Sequence, residues 1–152
     1  MRLERRYEAE AAHRLTAGVP EGHPCRRLHG HRYLITVVII GDINPETGML
    51  LEYAEIDERV NEVLRRVDHR YLNELYISDS GHDLITSSEC REPELAAKVR
   101  QNTTVENLAT WFKAELAHRF PRTNFKVGQS SFLSPQVYAV RIEEDSRSAV
   151  EV

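Results

Sequence analysis

The stretch Cys25-Arg26-Arg27-Leu28-His29-Gly30-His31-Arg32-Tyr33-Leu34-Ile35-Thr36-Val37-Val38-Ile39-Ile40-Gly41-Asp42 runs from a loop into a strand. Residues 31–42 are rich in β-branched side chains, which suit a pleated, half-buried surface. Residues two apart on a strand share a face, so His31 joins Tyr33, Ile35, Val37 and Ile39 on the apolar side, and His29 can align with His31. The two imidazoles therefore sit at one end of the surface that the protein buries.

Upstream, residues 6–13 alternate, with Tyr7, Ala9, Ala11 and His13 on one face and Glu8, Glu10 and Ala12 on the other. An antiparallel pairing of the two strands would bring His13 beside His29 and His31. Three neutral imidazoles suit Zn²⁺ best among common metals. They leave a fourth tetrahedral position for water or substrate, as catalytic rather than structural sites do. A His-x-His pair alone is more simply read as a surface strand, and a lone cysteine as a small buried hydrophobe. The intervening loop shifts that balance: Gly18, Pro20, Gly22 and Pro24 break regular structure across residues 16–28, yet the segment carries His23, Cys25, Arg26 and Arg27. Arg14, Arg26, Arg27 and Arg32 are either an anion-attracting rim or solvated surface charge.

At 152 residues the chain has the size of one domain, and 41% hydrophobic and 29% charged residues are typical of a soluble globular protein. Its net charge of −4 and lack of a basic stripe argue against nucleic-acid binding. No apolar run approaches the ~20 residues that span a bilayer, and Met1–Arg6 is not followed by the apolar stretch of a signal peptide. Cys25 and Cys90 are too few for a disulfide framework, so a cytoplasmic location is the default expectation.

Ile56, Val60, Val63, Leu64 and Val67 recur at helical spacing and predict a first helix ending at Asp68-His69. Thr103-Thr104-Val105-Glu106 fits a capping box, with Val105, Leu108, Ala109, Phe112 and Leu116 as the apolar face of a second helix. Residues 74–102 are polar, with a short helix expected around Pro93 to Val99. Residues 121–135 read as a strand or an irregular loop. Near the end, Tyr138, Val140, Ile142 and Glu144 alternate with Ala139, Arg141 and Glu143, and a last short strand is expected at 148–152. Glu144 would then lie on an apolar face, a costly place for an unpaired carboxylate. Segregated strands and helices predict an α+β fold, with helices on one face of an antiparallel sheet.

These segments resemble the 6-pyruvoyltetrahydropterin synthase family, on the side of its bacterial branch that makes 6-carboxytetrahydropterin for queuosine. The likeness runs through Glu10-Ala11-Ala12-His13-Arg14-Leu15, Val19-Pro20-Glu21-Gly22-His23, Cys25-Arg26-Arg27-Leu28-His29-Gly30-His31 and Gly48-Met49. It continues in Asp68-His69-Arg70-Tyr71-Leu72-Asn73 and Thr104-Val105-Glu106-Asn107-Leu108-Ala109. The three residues between Cys25 and His29 match the queuosine branch, where biopterin-pathway enzymes have a longer gap. The resemblance implies the tunnelling fold, an antiparallel sheet with two helices on one side, and assembly into trimers and hexamers with active sites between subunits. It implies His13, His29 and His31 as zinc ligands and Cys25 as the catalytic proton acceptor. Asp68 and His69 would form the proton relay, and Glu144 the pterin anchor coupled to it. Thr104 and Glu106 are secondary candidates for substrate contact. The implied reaction converts 7,8-dihydroneopterin triphosphate to 6-carboxy-5,6,7,8-tetrahydropterin, acetaldehyde and triphosphate. The alternatives are pyruvoyltetrahydropterin formation, another pterin side-chain lyase, or a non-catalytic zinc-containing pterin-binding module.

The chain departs from the pattern in four places. Residues 74–102 form an insertion within an otherwise single domain, and 121–135 is longer than usual. Glu52-Tyr53 replaces Asp-Phe, and Asp145 stands where threonine commonly follows the glutamate.

Overall fold

The computed structural model describes residues 1–75 and 91–152. Two long strands, β1 (Arg2–His13) and β2 (His29–Ile40), pair antiparallel along their whole length, from Arg2↔Ile40 to His13↔His29. This is the pairing that the two alternating stretches predict. Both strands are longer than their clearest alternation: β1 begins at Arg2, and β2 includes His29 and Gly30 ahead of the apolar run.

Helix α1 (Tyr53–Leu64) follows, and β3 (Arg70–Tyr71) returns to the edge of β1. Helices α2 (Pro93–Gln101) and α3 (Val105–Ala117) come next, then a hairpin of β4 (Asn124–Val127) and β5 (Ser130–Leu133). Finally β6 (Gln136–Glu143) and β7 (Ala149–Glu151) complete a sheet of order β3-β1-β2-β6-β7. The hairpin forms a sheet of its own, so residues 121–135 hold two strands rather than one.

The α+β class and tunnelling-fold architecture agree with the sequence reading, with two corrections. The sheet is not wholly antiparallel, because β3 runs parallel to β1 through Ala11↔Arg70 and Ala12↔Tyr71. And the two helices that the resemblance implies are joined by a third among the described residues, at the place where the short helix around Pro93 to Val99 is expected. The extra one, α2, lies in the expected insertion; it starts on Pro93, which tolerates a first helical position because its missing N–H needs no partner there.

The core is the sheet face bearing Ala9, Ala11, Tyr33, Ile35, Val37, Ile39, Val140 and Ile142, closed by Ile56, Val60 and Val63 of α1 and by Leu108, Phe112 and Leu116 of α3. Within it, Glu115 of α3 is fully buried yet paired. Its carboxylate accepts N–H bonds from Arg91 (2.9 Å) and Glu92 (3.0 Å), beside the start of α2, and from the guanidinium groups of Arg66 and Arg119.

Strand β6 has a bulge: Val38 pairs with Ala139 and Ile39 with Val137, which leaves Tyr138 outside the ladder and exposed. Beyond the bulge the strand's alternation is intact, and it delivers Glu144 to the core side.

Candidate active site

In an antiparallel pair, directly opposed residues share a face, so the register His13↔His29 and Ala11↔His31 sets all three imidazoles on the core side at one end of the sheet. Their ring centroids are 4.5, 5.0 and 4.9 Å apart, and one ligand atom from each lies within 4.8 Å of the others.

The outward nitrogens decide what the inward ones can do. His13 Nδ1 is 2.8 Å from the Thr103 carbonyl, and His29 Nδ1 is 2.8 Å from the Arg27 carbonyl. A carbonyl only accepts, so in each ring Nδ1 carries the proton and Nε2 presents a lone pair. Burial holds His13 below the ordinary histidine pKa, against the Thr103 hydrogen bond and Glu144, and so favours the neutral ligand form. His13 Nε2 is itself buried and makes no hydrogen bond among the described residues. A buried acceptor without a partner is costly, and a cation at the centre of the cluster satisfies it. The residues therefore fit a metal. Three imidazoles accept zinc readily, though copper, iron and nickel use the same donor.

Thr103 is a supporting residue that sequence reading passed over as mere capping. Its side chain donates to the Val99 carbonyl at 2.9 Å, and this buried threonine brings its own carbonyl to His13. The cap itself is Thr104, whose hydroxyl accepts the Asn107 N–H at 3.3 Å. The expected capping box is thus displaced by one residue: Glu106 falls too early to close it, and it is exposed. Only backbone geometry could have identified a ligand-orienting carbonyl.

Glu144 stands just past β6, with its Oε1 3.4 Å from His13 Nε2 and 3.5 Å from His31 Nε2. Tyr33 donates its hydroxyl to the same oxygen at 3.3 Å. Burial, with Glu144 adding to it, drives the Tyr33 pKa upward and keeps that phenol a donor. The carboxylate on the apolar face is therefore paired, as its alternation required.

Cys25 lies in a short 3-10 turn, Pro24–Arg26, with its thiol half-buried and free. His23 caps that turn, accepting the Cys25 N–H on Nδ1 at 3.2 Å, so His23 serves the loop rather than the imidazole cluster. The Leu15 N–H donates to the Cys25 carbonyl at 2.8 Å and fastens the loop to the end of β1. Two of the four arginines are engaged: Arg26 donates to the Val19 and Pro20 carbonyls, and Arg32 pairs with Glu8.

Asp68 and His69 occupy the turn before β3. Asp68 accepts the Glu10 N–H at 2.9 Å, and its other oxygen is 3.0 Å from His69 Nδ1. The Glu10 hydrogen bond, aided by His69 and opposed by burial, holds Asp68 below the usual carboxylate range. Asp68 is thus an acceptor that orients the imidazole, not an acid. His69 has φ of 56°, an uncommon left-handed conformation for a residue with a Cβ, while its N–H donates to the Glu10 carbonyl at 2.6 Å. Its ring is exposed and, with His31, lines a surface depression of about 640 Å³. Among the described residues, the Cys25 thiol makes no hydrogen bond to Asp68, His69 or any other group. One chain therefore gathers His13, His29, His31 and Glu144, and leaves Cys25 and the Asp68–His69 pair unjoined. His118 is paired with Glu92 on the surface at 2.7 Å; His82 and Cys90 lie outside the described residues.

A family model, 6-pyruvoyl tetrahydropterin synthase, matches residues 2–152. A Pyrococcus horikoshii protein provisionally named 6-carboxy-5,6,7,8-tetrahydropterin synthase is 30% identical over 135 residues, covering 84% of this chain and 75% of that one. A Rickettsia conorii 6-carboxy-5,6,7,8-tetrahydropterin synthase is 24% identical over 152 residues, covering 100% and 99%. Among solved structures, Caenorhabditis elegans 6-pyruvoyl tetrahydropterin synthase superposes with a TM-score of 0.67 at 23% identity, covering 100% of this chain and 94% of that one, a likeness of fold. With its strand register, imidazole cluster and full-length family match, the chain belongs to the 6-pyruvoyl tetrahydropterin synthase family.

Proposed function

We propose that this protein is a zinc-dependent carbon–carbon lyase, a 6-carboxy-5,6,7,8-tetrahydropterin synthase of the queuosine pathway. It would convert 7,8-dihydroneopterin triphosphate to 6-carboxytetrahydropterin, acetaldehyde and triphosphate. The observation that carries this reading is the convergence of His13, His29 and His31, each on the core face, with a free thiol four residues ahead of His29. The names of the relatives support the branch.

His13, His29 and His31 would hold the metal, which supplies Lewis acidity toward the hydroxyls of the substrate's side chain. Cys25 accepts a proton from that side chain. His69, its tautomer set by Asp68, passes protons to and from the thiol. Glu144 accepts two N–H bonds from the guanidine-like edge of the pterin, in the bidentate geometry that a carboxylate offers. Thr104 and Glu106 are secondary candidates for substrate contact.

Among the described residues the Cys25 thiol makes no hydrogen bond to His69, and this favours a site completed between subunits of a trimer or hexamer. Residues 1–152 would form one domain with 74–102 inserted, working in the cytoplasm. The test is incubation of the zinc-loaded protein with 7,8-dihydroneopterin triphosphate, followed by mass analysis of the products. Detection of 6-carboxytetrahydropterin and acetaldehyde is expected. A pyruvoyl product would move the assignment to the sister activity, and tight pterin binding without turnover would make the protein a binding module.

A further inference from the structure

The function proposed above uses Glu144 to hold the pterin, yet its carboxylate is already turned toward the imidazoles. Donor atoms ~2.0–2.1 Å from a zinc-sized ion at tetrahedral corners stand roughly 3.3–3.4 Å apart. Glu144 Oε1 lies 3.4 Å from His13 Nε2 and 3.5 Å from His31 Nε2, close to that edge length on two sides.

The polarity of these atoms points the same way. His13 keeps its proton on Nδ1 against the Thr103 carbonyl, so Nε2 faces the carboxylate with a lone pair. Two electron-pair donors side by side, one of them a buried nitrogen without a hydrogen bond, repel unless a positive centre lies between them. The carboxylate also has the support that ligating carboxylates usually receive: the Tyr33 hydroxyl donates to Oε1 at 3.3 Å from a ring fixed in the core.

We propose that Glu144 is a fourth protein ligand of the metal, taking the corner that the three imidazoles leave and steadied there by Tyr33. The inference rests on the metal-binding reading above. It makes one carboxylate serve two partners in turn. A pterin that draws Glu144 onto its guanidine-like edge takes it off the ion and frees a coordination position for the substrate's hydroxyls. Arrival of the correct ring would then open the metal, and the ion would be shielded from other ligands until that moment.

The test is metal affinity and cobalt spectroscopy rather than turnover. Chelator-stripped protein is titrated with Zn²⁺ and Co²⁺ against a chromophoric competitor, using wild type, Glu144→Gln, Tyr33→Phe and His31→Ala. The expected result is one ion per wild-type chain and affinity weakened on the order of 10–100-fold in Glu144→Gln. A smaller loss is expected in Tyr33→Phe, and no stoichiometric binding in His31→Ala. The visible Co²⁺ bands should shift between wild type and Glu144→Gln, and adding pterin should shift them in wild type alone. Wild-type affinity and bands in both Glu144→Gln and Tyr33→Phe would overturn the proposal while leaving the three-histidine site standing. Absence of stoichiometric metal in wild type would overturn the metal reading itself. Should Glu144→Gln lose its circular dichroism signal, Tyr33→Phe decides the matter.

Discussion

Cys25 and Asp57 show how differently single residues serve this protein. Cys25 is a half-buried thiol with no hydrogen bond among the described residues, so its removal leaves no stranded partner. We expect Cys25→Ala to keep its fold and its metal stoichiometry while losing at least about 10²-fold in turnover, the usual worth of a positioned proton acceptor. Unchanged turnover would remove Cys25 from the chemistry. Asp57 works on stability. It takes hydrogen bonds from Tyr7 (2.8 Å) and from Arg5, and ties α1 to β1. Burial raises its pKa, but the bonds from Arg5 and Tyr7 outweigh that and leave it below the ordinary value. A depressed carboxylate stabilises the fold above the unfolded-state pKa of about 3.9, and that contribution vanishes as pH falls through the lower folded value. Urea midpoints at pH 7 and pH 3 should therefore show Asp57→Asn destabilised at pH 7 and the gap narrower at pH 3, below the unfolded-state value. A gap of equal size at both values would mean that packing, not charge, carries the effect.

At the level of elements, α3 joins stability to the site. Its N-cap, Thr104, follows the residue whose carbonyl orients His13, so the helix start and the imidazole cluster share two consecutive residues. Thr104→Ala should cost about 1 kcal/mol in chemical denaturation. It should also weaken metal binding, if the cap holds Thr103 in place. At the other end, buried Glu115 joins α3 to the start of α2 and to Arg66 and Arg119. Breaking a buried ionic group by removing one partner costs about 3–5 kcal/mol, so Glu115→Ala should lower the melting temperature far more than Thr104→Ala. A loss under ~1 kcal/mol would show the carboxylate to be replaceable by packing, as happens when whole ion pairs are exchanged for apolar groups. Thr104 bears on the site through its neighbour Thr103, whereas Glu115 bears on the packing of α3 against the start of α2.

On the scale of the whole molecule, the decisive fact is that the Cys25 thiol has no hydrogen bond to the Asp68–His69 pair among the described residues. One end of the sheet collects His13, His29, His31 and Glu144, and Asp68 and His69 sit beside it at the β3 edge of β1, held by the Glu10 N–H to the Asp68 carboxylate and the His69 N–H to the Glu10 carbonyl. If neighbouring subunits complete the site, mixing Cys25→Ala with His69→Ala should restore a measurable fraction of activity, though each variant alone has little. Co-refolded mixtures, assayed beside each parent and sized by light scattering, check this. A mixture no better than its parents would place the whole relay in one chain.

The strands, the face that each residue takes and the three-histidine set were legible in the sequence, because a period of two decides which side chains share a surface. Alternation placed His13 with Tyr7, Ala9 and Ala11, and Glu144 with Val140 and Ile142, before any contact was known. Helices α1 and α3 were legible for the corresponding reason, a period near 3.6. What alternation cannot express is pairing across distance. The parallel return of β3, the Thr103 carbonyl behind His13 and the approach of Glu144 to two imidazoles all depend on residues far apart in the chain. Those contacts exist because burial leaves each polar group seeking a partner, and only the packed structure decides which partner it finds.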